Sequence, residues 1–125
     1  MSGRSALIIE DNSDLAIIFS QALQAAGFAT GIILDGDQAL ARLAITTPDV
    51  VVLDLHMPRV SGAEILRRIR TDARLAGTRV IIATADMRAT DMLQDQADLV
   101  LIKPVSFTQL RDLAGRLALS AFPGE

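Results

Sequence analysis

Hydrophobic and polar positions alternate in blocks along this chain. Leu7-Ile8-Ile9 is a short apolar run. From Asp14 to Ala26 apolar residues then recur at helical spacing (Leu15, Ile18, Phe19, Ala22, Leu23, Ala26), and the pattern stops at Gly27, a residue type that ends helices. The pattern predicts a strand followed by a helix. A second β-type stretch runs from Phe28 to Leu34, and Gln38 to Ile45 follows as a helix with Ala39, Leu40 and Leu43 on one face. Val50-Val51-Val52-Leu53 is an unbroken, mostly β-branched run. Ser61 is a capping residue for a helix over Gly62 to Thr71, in which Ile65, Leu66 and Ile69 point inward. Val80-Ile81-Ile82-Ala83 is a fourth strand, and a short, weakly patterned helix is expected over 88–96. Leu99-Val100-Leu101-Ile102 is a fifth strand, ended by Lys103-Pro104. Ser106 to Gln109 has capping-box spacing, and Leu110, Leu113 and Leu117 stripe the last helix.

Five strand–helix units with near-continuous apolar strands imply a parallel sheet covered on both faces, an α/β doubly wound domain. For five units the expected topology is the flavodoxin-like order 2-1-3-4-5, with a crevice between strands 1 and 3 at their carboxyl ends. The 125 residues, half of them hydrophobic and 22% charged, suit a single globular domain over 1–125 with its core at about 4–119. No apolar run reaches the roughly 18 residues of a membrane span, and the N-terminus lacks a signal-peptide pattern. With no cysteine, thiol chemistry is excluded and a cytoplasmic location is the default expectation. The single histidine, His56, excludes a multi-histidine zinc site. A net charge of −3 and the absence of Trp and Tyr argue against direct nucleic-acid binding. Eleven of the twelve basic residues are arginine, which makes Lys103 conspicuous.

The residues that follow the strands carry the candidate chemistry. Glu10 and Asp11 follow strand 1, Asp54 follows strand 3, Thr84 stands at the end of strand 4, and Lys103 follows strand 5. Strand 2 ends in Leu34-Asp35-Gly36, away from the crevice. Three carboxylates in one place repel unless a cation or a proton joins them, and Mg²⁺ is commonly held by one or two carboxylates together with a phosphate. An aspartate can itself become phosphorylated, while a lysine and a hydroxyl hold the phosphoryl oxygens. Alone, each residue has an ordinary reading: Asp54 as a cap, Glu10-Asp11 as a helix start, Thr84 as a β-branched strand residue and Lys103 as surface charge. His56 reads as an exposed loop residue at the crevice rim, where it could affect water access. Met57, Met87 and Met92 read as packing or loop residues, and Arg67, Arg68 and Arg70 as the solvated face of the third helix.

Taken in order, these segments resemble the response-regulator receiver family of two-component signalling. Leu7-Ile8-Ile9-Glu10-Asp11-Asn12 is similar to its acidic-pair strand, and Val52 to Pro58 with Gly62 to its phosphoacceptor strand. Ala83-Thr84-Ala85 and Ile102-Lys103-Pro104 resemble its hydroxyl and lysine sites. The resemblance implies that Asp54 accepts the phosphoryl group and that Glu10, Asp11, Asp54 and the His56 backbone carbonyl bind Mg²⁺. It also implies that Thr84 and Lys103 hold the phosphoryl group, and that the Lys103-Pro104 peptide is cis. Two departures stand out: Val100 occupies the place of the family's usual aromatic, and the 19 residues from Thr84 to Lys103 form a shorter interval than is usual.

The expected function is a stand-alone receiver, a phosphoacceptor rather than an enzyme, that signals by altered protein contacts. Its implied partners are a histidine kinase or histidine phosphotransfer protein and a downstream protein, with homodimerisation a further option and no nucleic acid or membrane. The alternative is an interaction module of the same fold that works without phosphorylation. A phosphatase would want an acid where His56 stands, and a nucleotide binder a glycine-rich loop after strand 1.

Overall fold

The computed structural model describes residues 4–88, 93 and 95–120, with side chains as far as Leu117. Five parallel strands, β1 (Arg4–Ile9), β2 (Phe28–Ile33), β3 (Val50–Leu53), β4 (Arg79–Thr84) and β5 (Leu99–Ile102), form one sheet in the order β2-β1-β3-β4-β5. The helices among the described residues are α1 (Ser13–Ala25), α2 (Gly36–Leu43), α3 (Gly62–Thr71) and α4 (Phe107–Ser120), with a 3-10 turn at Ala73–Leu75. The order is the flavodoxin-like one expected for five strand–helix units.

The strands are largely apolar because both faces of the sheet's centre are covered. Ala6, Ile8, Val50, Val52, Ile81 and Ala83 pack with Phe19 and Leu23 of α1 and Leu110 and Ala114 of α4. The alternate residues, among them Leu7, Ile9, Val51, Leu53, Val80 and Ile82, pack with Leu43 of α2 and Ile65, Leu66 and Ile69 of α3. A side-chain period of two on a doubly covered sheet thus feeds two cores from every strand.

Element boundaries differ from the periodic reading where polar caps extend an element. The α2 helix begins at Gly36, two residues before the expected start, because the Asp35 side chain accepts from the Gln38 N–H at 2.8 Å and caps it. β1 begins at Arg4, since its half-buried first residues pair with β2 and the Ser5 N–H donates to Asp49 at 2.7 Å. The α3 helix starts as expected, with Ser61 accepting from the Glu64 N–H. The Lys103-Pro104 peptide is cis. Most of the helix expected over 88–96, Met92 included, lies outside the described residues; Met57 is buried and Met87 exposed.

Arg70 corrects the reading of the α3 arginines. Arg67 and Arg68 are exposed, but Arg70 turns into the molecule, donating to the carbonyls of Gln96 (2.6 Å) and Thr78 (2.9 Å) and pairing with Asp98 at 3.1 Å. Asp98 also pairs with Arg79 at 3.1 Å and accepts from the Val80 N–H at 2.7 Å. One carboxylate therefore joins α3, β4 and the chain entering β5.

Gly62 brings α3 against the chain that follows β3. Its N–H donates to the Leu55 carbonyl at 2.9 Å, and a Cβ there would stand 2.5 Å from Leu55 Cα and closer still to the Asp54 carbonyl oxygen. Gly62→Ala is expected to lower stability by about 1–3 kcal/mol, the usual cost of overpacking. Gly115, inside α4 with open space around its missing Cβ, is expected to gain about 0.5–1 kcal/mol on replacement by alanine. Urea denaturation of the two variants measures both; equal effects would refute the close approach at Gly62.

Candidate functional site

The parallel register sets Glu10 and Asp54 side by side. Ile9 pairs with Leu53, and the Asp54 N–H extends the pairing by donating to the Ile9 carbonyl at 3.0 Å. Both residues are almost fully inaccessible, with 1% and 6% of their surface exposed, whereas Asp11 projects into solvent. Carboxylate oxygens of Glu10, Asp11 and Asp54 come within 4.8 Å of one another, the one such cluster found among the described residues.

Lys103 reaches this cluster from the far side of the sheet's centre. Its N–H donates to the Thr84 carbonyl at 2.8 Å, which fixes the end of β5 against the end of β4. Its Nζ lies 2.7 Å from Glu10 Oε1 and 3.6 Å from Asp54 Oδ2, so one ammonium faces both buried acids. The surface-lysine reading does not hold, because the side chain is mostly covered.

Backbone donors complete the lining. The Asn12 N–H donates to Glu10 Oε2 at 3.1 Å, and Asn12 Oδ1 accepts from the Leu15 N–H to cap α1. The His56 N–H donates to Asp54 Oδ1 at 3.2 Å, which places the His56 backbone at the site. Burial pushes the Glu10 carboxyl above the usual carboxylate range, with the nearby Asp54 acting in the same direction. The hydrogen bonds from Lys103 and Asn12 oppose this only in part.

Thr84 is fully buried and holds the next loop: its Oγ accepts from the Asp86 N–H at 3.1 Å. Asp86 pairs with Arg88 at 3.2 Å and lies 3.4 Å from His56 Nε2. The hydrogen bonds from Arg88 hold its carboxyl below the usual range, with a smaller contribution from His56. The exposed His56 ring therefore joins the loops after β3 and β4 across the rim. Sequence reading passed over Asp86, whose only signal is its place two residues beyond Thr84. Glu10, Asp11, Asp54 and Lys103 are brought into one crevice, Thr84 adjoins it through the hydrogen bond its carbonyl accepts from the Lys103 N–H, and Val100, half-buried in β5, packs against the core on the α3 face of the sheet.

The sequence profile of the response regulator receiver domain matches residues 6–114. The chain belongs to the response-regulator receiver family. Among curated relatives, the DNA-binding response regulator MtrA of Mycolicibacterium paratuberculosis is 34% identical over 101 residues, 78% of this chain and 44% of that protein. The chain thus spans about half the length of that relative. The signal receiver domain of a signal transduction histidine kinase from Syntrophus aciditrophicus superimposes with a TM-score of 0.85 at 27% identity, covering 99% of this chain and 96% of that one. The response regulator TrrA from Thermotoga maritima, solved in complex with Mg²⁺ and beryllium fluoride, gives 0.80 at 25% identity over 91% of this chain and 98% of its own. No helix among the described residues is long and apolar enough to cross a membrane.

The raised Glu10 carboxyl has a signed consequence for stability. A folded state that binds the proton more readily than the unfolded chain loses stability as pH rises from the ordinary glutamate value through the raised one. In chelator, Glu10→Gln is expected to remove that decline, measured as thermal midpoints across the acidic range. An unchanged slope would place the cost of burial elsewhere.

Proposed function

We propose that Asp54 accepts a phosphoryl group from a phosphohistidine on a partner kinase or phosphotransfer protein, and that the receiver signals through the resulting change in its protein contacts. The convergence of Glu10, Asp11 and Asp54 with Lys103 and Thr84 carries this reading. An Asp54 oxygen attacks phosphorus, the phosphorus–nitrogen bond breaks, and the imidazole leaves with the electron pair of that bond. Attack by water on phosphorus later returns the carboxylate and inorganic phosphate. The protein is then a signalling phosphoacceptor rather than a turnover enzyme.

The donor set suits Mg²⁺: hard carboxylate oxygens, two of them on buried residues and crowded enough to favour a cation. Glu10, Asp11, Asp54 and the His56 carbonyl would hold it. When bound, the ion would neutralise charge on the phosphoryl oxygens. Lys103, already near Asp54, would turn from Glu10 to a phosphoryl oxygen. Thr84 Oγ accepts from the Asp86 N–H, which leaves its own proton free to donate. Movement of Thr84 toward Asp54 would draw on Asp86 and its contact with His56.

The DNA binding in the MtrA name belongs to a longer chain, of which the match covers 44%, and the twelve basic residues here are outnumbered by fifteen acidic ones. Contact with other proteins is the output this module supports by itself. Val100 favours a second reading, an interaction module of this fold that works without phosphorylation, because the bulky ring usual at that place is absent.

Intact mass after incubation with acetyl phosphate separates the two. One phosphoryl adduct is expected with Mg²⁺, none with chelator and none in Asp54→Asn; the same labelling in Asp54→Asn overturns the assignment. Beryllium fluoride guards against rapid hydrolysis: if neither reagent alters the protein, the second reading stands. Mg²⁺ alone is also expected to raise the melting temperature of the native chain and not of Asp54→Asn; an equal rise in both would remove Asp54 from the metal site.

A further inference from the structure

β2 is an open edge of the sheet, paired with β1 alone among the described residues. The Ile33 carbonyl accepts from the Glu10 N–H and so faces inward. Backbone groups alternate sides along a strand, which turns the N–H and C=O of Thr30 and Ile32 outward. Natural edge strands are normally guarded by charges, proline or a bulge. This one reads FATGII, and its pairing runs without a break from Arg4–Phe28 to Ile9–Ile33.

The two sides of this edge differ chemically. On the α1 side Ile32 and Leu34 are 40% and 44% exposed. On the α2 side two cavities, of about 460 and 300 Å³, follow one another along the strand, and Arg42 lines both. Gly31 opens the first of them: where its Cβ would stand, Leu7 and Arg42 atoms lie only 3.3 and 3.5 Å away. Arg42 is exposed, and its guanidinium makes no hydrogen bond or ion pair among the described residues.

We propose that the outer edge of β2 takes up an extended segment of a partner protein as a sixth strand. An acidic side chain of that segment lies against Arg42, and its apolar neighbours cover Ile32 and Leu34. Main-chain hydrogen bonds to Thr30 and Ile32 would supply affinity, and the alternation of apolar and acidic positions would supply selectivity. The surface lies apart from the acidic crevice, so this inference does not depend on phosphoryl transfer to Asp54.

The probe is the capped peptide acetyl-Thr-Val-Glu-Val-Thr-amide, titrated into the full ¹⁵N-labelled chain and followed through amide shifts. Saturable shifts over residues 28–34 and 42–47 are expected. The lysine counterpart, or a backbone N-methylated version, should bind at least about fivefold more weakly, the order of one exposed ion pair or a few edge hydrogen bonds. Arg42→Glu, an exposed substitution that leaves the core untouched, should reverse the preference toward the lysine peptide. No saturable shift at millimolar peptide, shifts on another face, or a preference unaffected by Arg42→Glu would each overturn the proposal. Shifts at 28–34 that depend on protein concentration without peptide would replace the acidic segment with a second copy of the chain.

Discussion

The central strands β1, β3 and β4 are covered by side chains on both faces, and a charged group placed in their middle would lose its water without compensation. Polar chemistry is confined to the places where strands end. At the carboxyl ends the parallel register lines those places up: Glu10, Asp54 and Lys103 meet in one crevice, with Thr84 beside Lys103. Two nearly inaccessible carboxylates side by side are tolerable because the Lys103 ammonium faces both and backbone N–H groups of Asn12 and His56 complete their hydrogen bonding. The site is held in tension between the burial that raises the Glu10 carboxyl and the cation that opposes it.

The polar groups at the other end of the sheet do mechanical work. Asp98, tied to Arg70, Arg79 and the Val80 N–H, anchors the chain as it enters β5. At the crevice end, Thr84 holds Asp86, and Asp86 meets Arg88 and His56. The shortened stretch between Thr84 and Lys103 is therefore fastened at both ends by hydrogen-bonded carboxylates. Through Asp86, the contacts of Thr84 join the end of β4 to His56 and Arg88 at the surface.

Membership in the receiver family places these features in a frame without fixing the output. The crevice uses residue types that resemble the family's at each strand end. The edge at β2 is set by this chain's own residues: Gly31, Ile32, Leu34 and Arg42, whose guanidinium has no partner among the described residues. Chemistry at the strand ends and recognition at a strand edge draw on separate parts of one scaffold, so a change in one need not disturb the other.

Periodicity determined the alternation of strands and helices and hence a parallel sheet, because a strand buried on both faces and a helix buried on one write different hydrophobic patterns; the strand order followed from the usual topology of five such units. The residues at the carboxyl ends of β1, β3, β4 and β5 were legible as site candidates because each breaks an apolar run, although Glu10, Asp54 and Thr84 are themselves buried. Element starts at Arg4 and Gly36 were not legible, since half-buried pairing and the Asp35 cap leave no apolar signature. Nor could sequence distinguish Arg70 from its exposed neighbours Arg67 and Arg68, because its partners come from the turn before β4 and the chain entering β5. The place of Lys103 between Glu10 and Asp54, the meeting of His56 with Asp86 and the cavity beside Gly31 were decided only by tertiary structure. Each depends on distances between residues far apart in the chain, and a hydrophobic pattern records whether a side chain is buried but not what it meets.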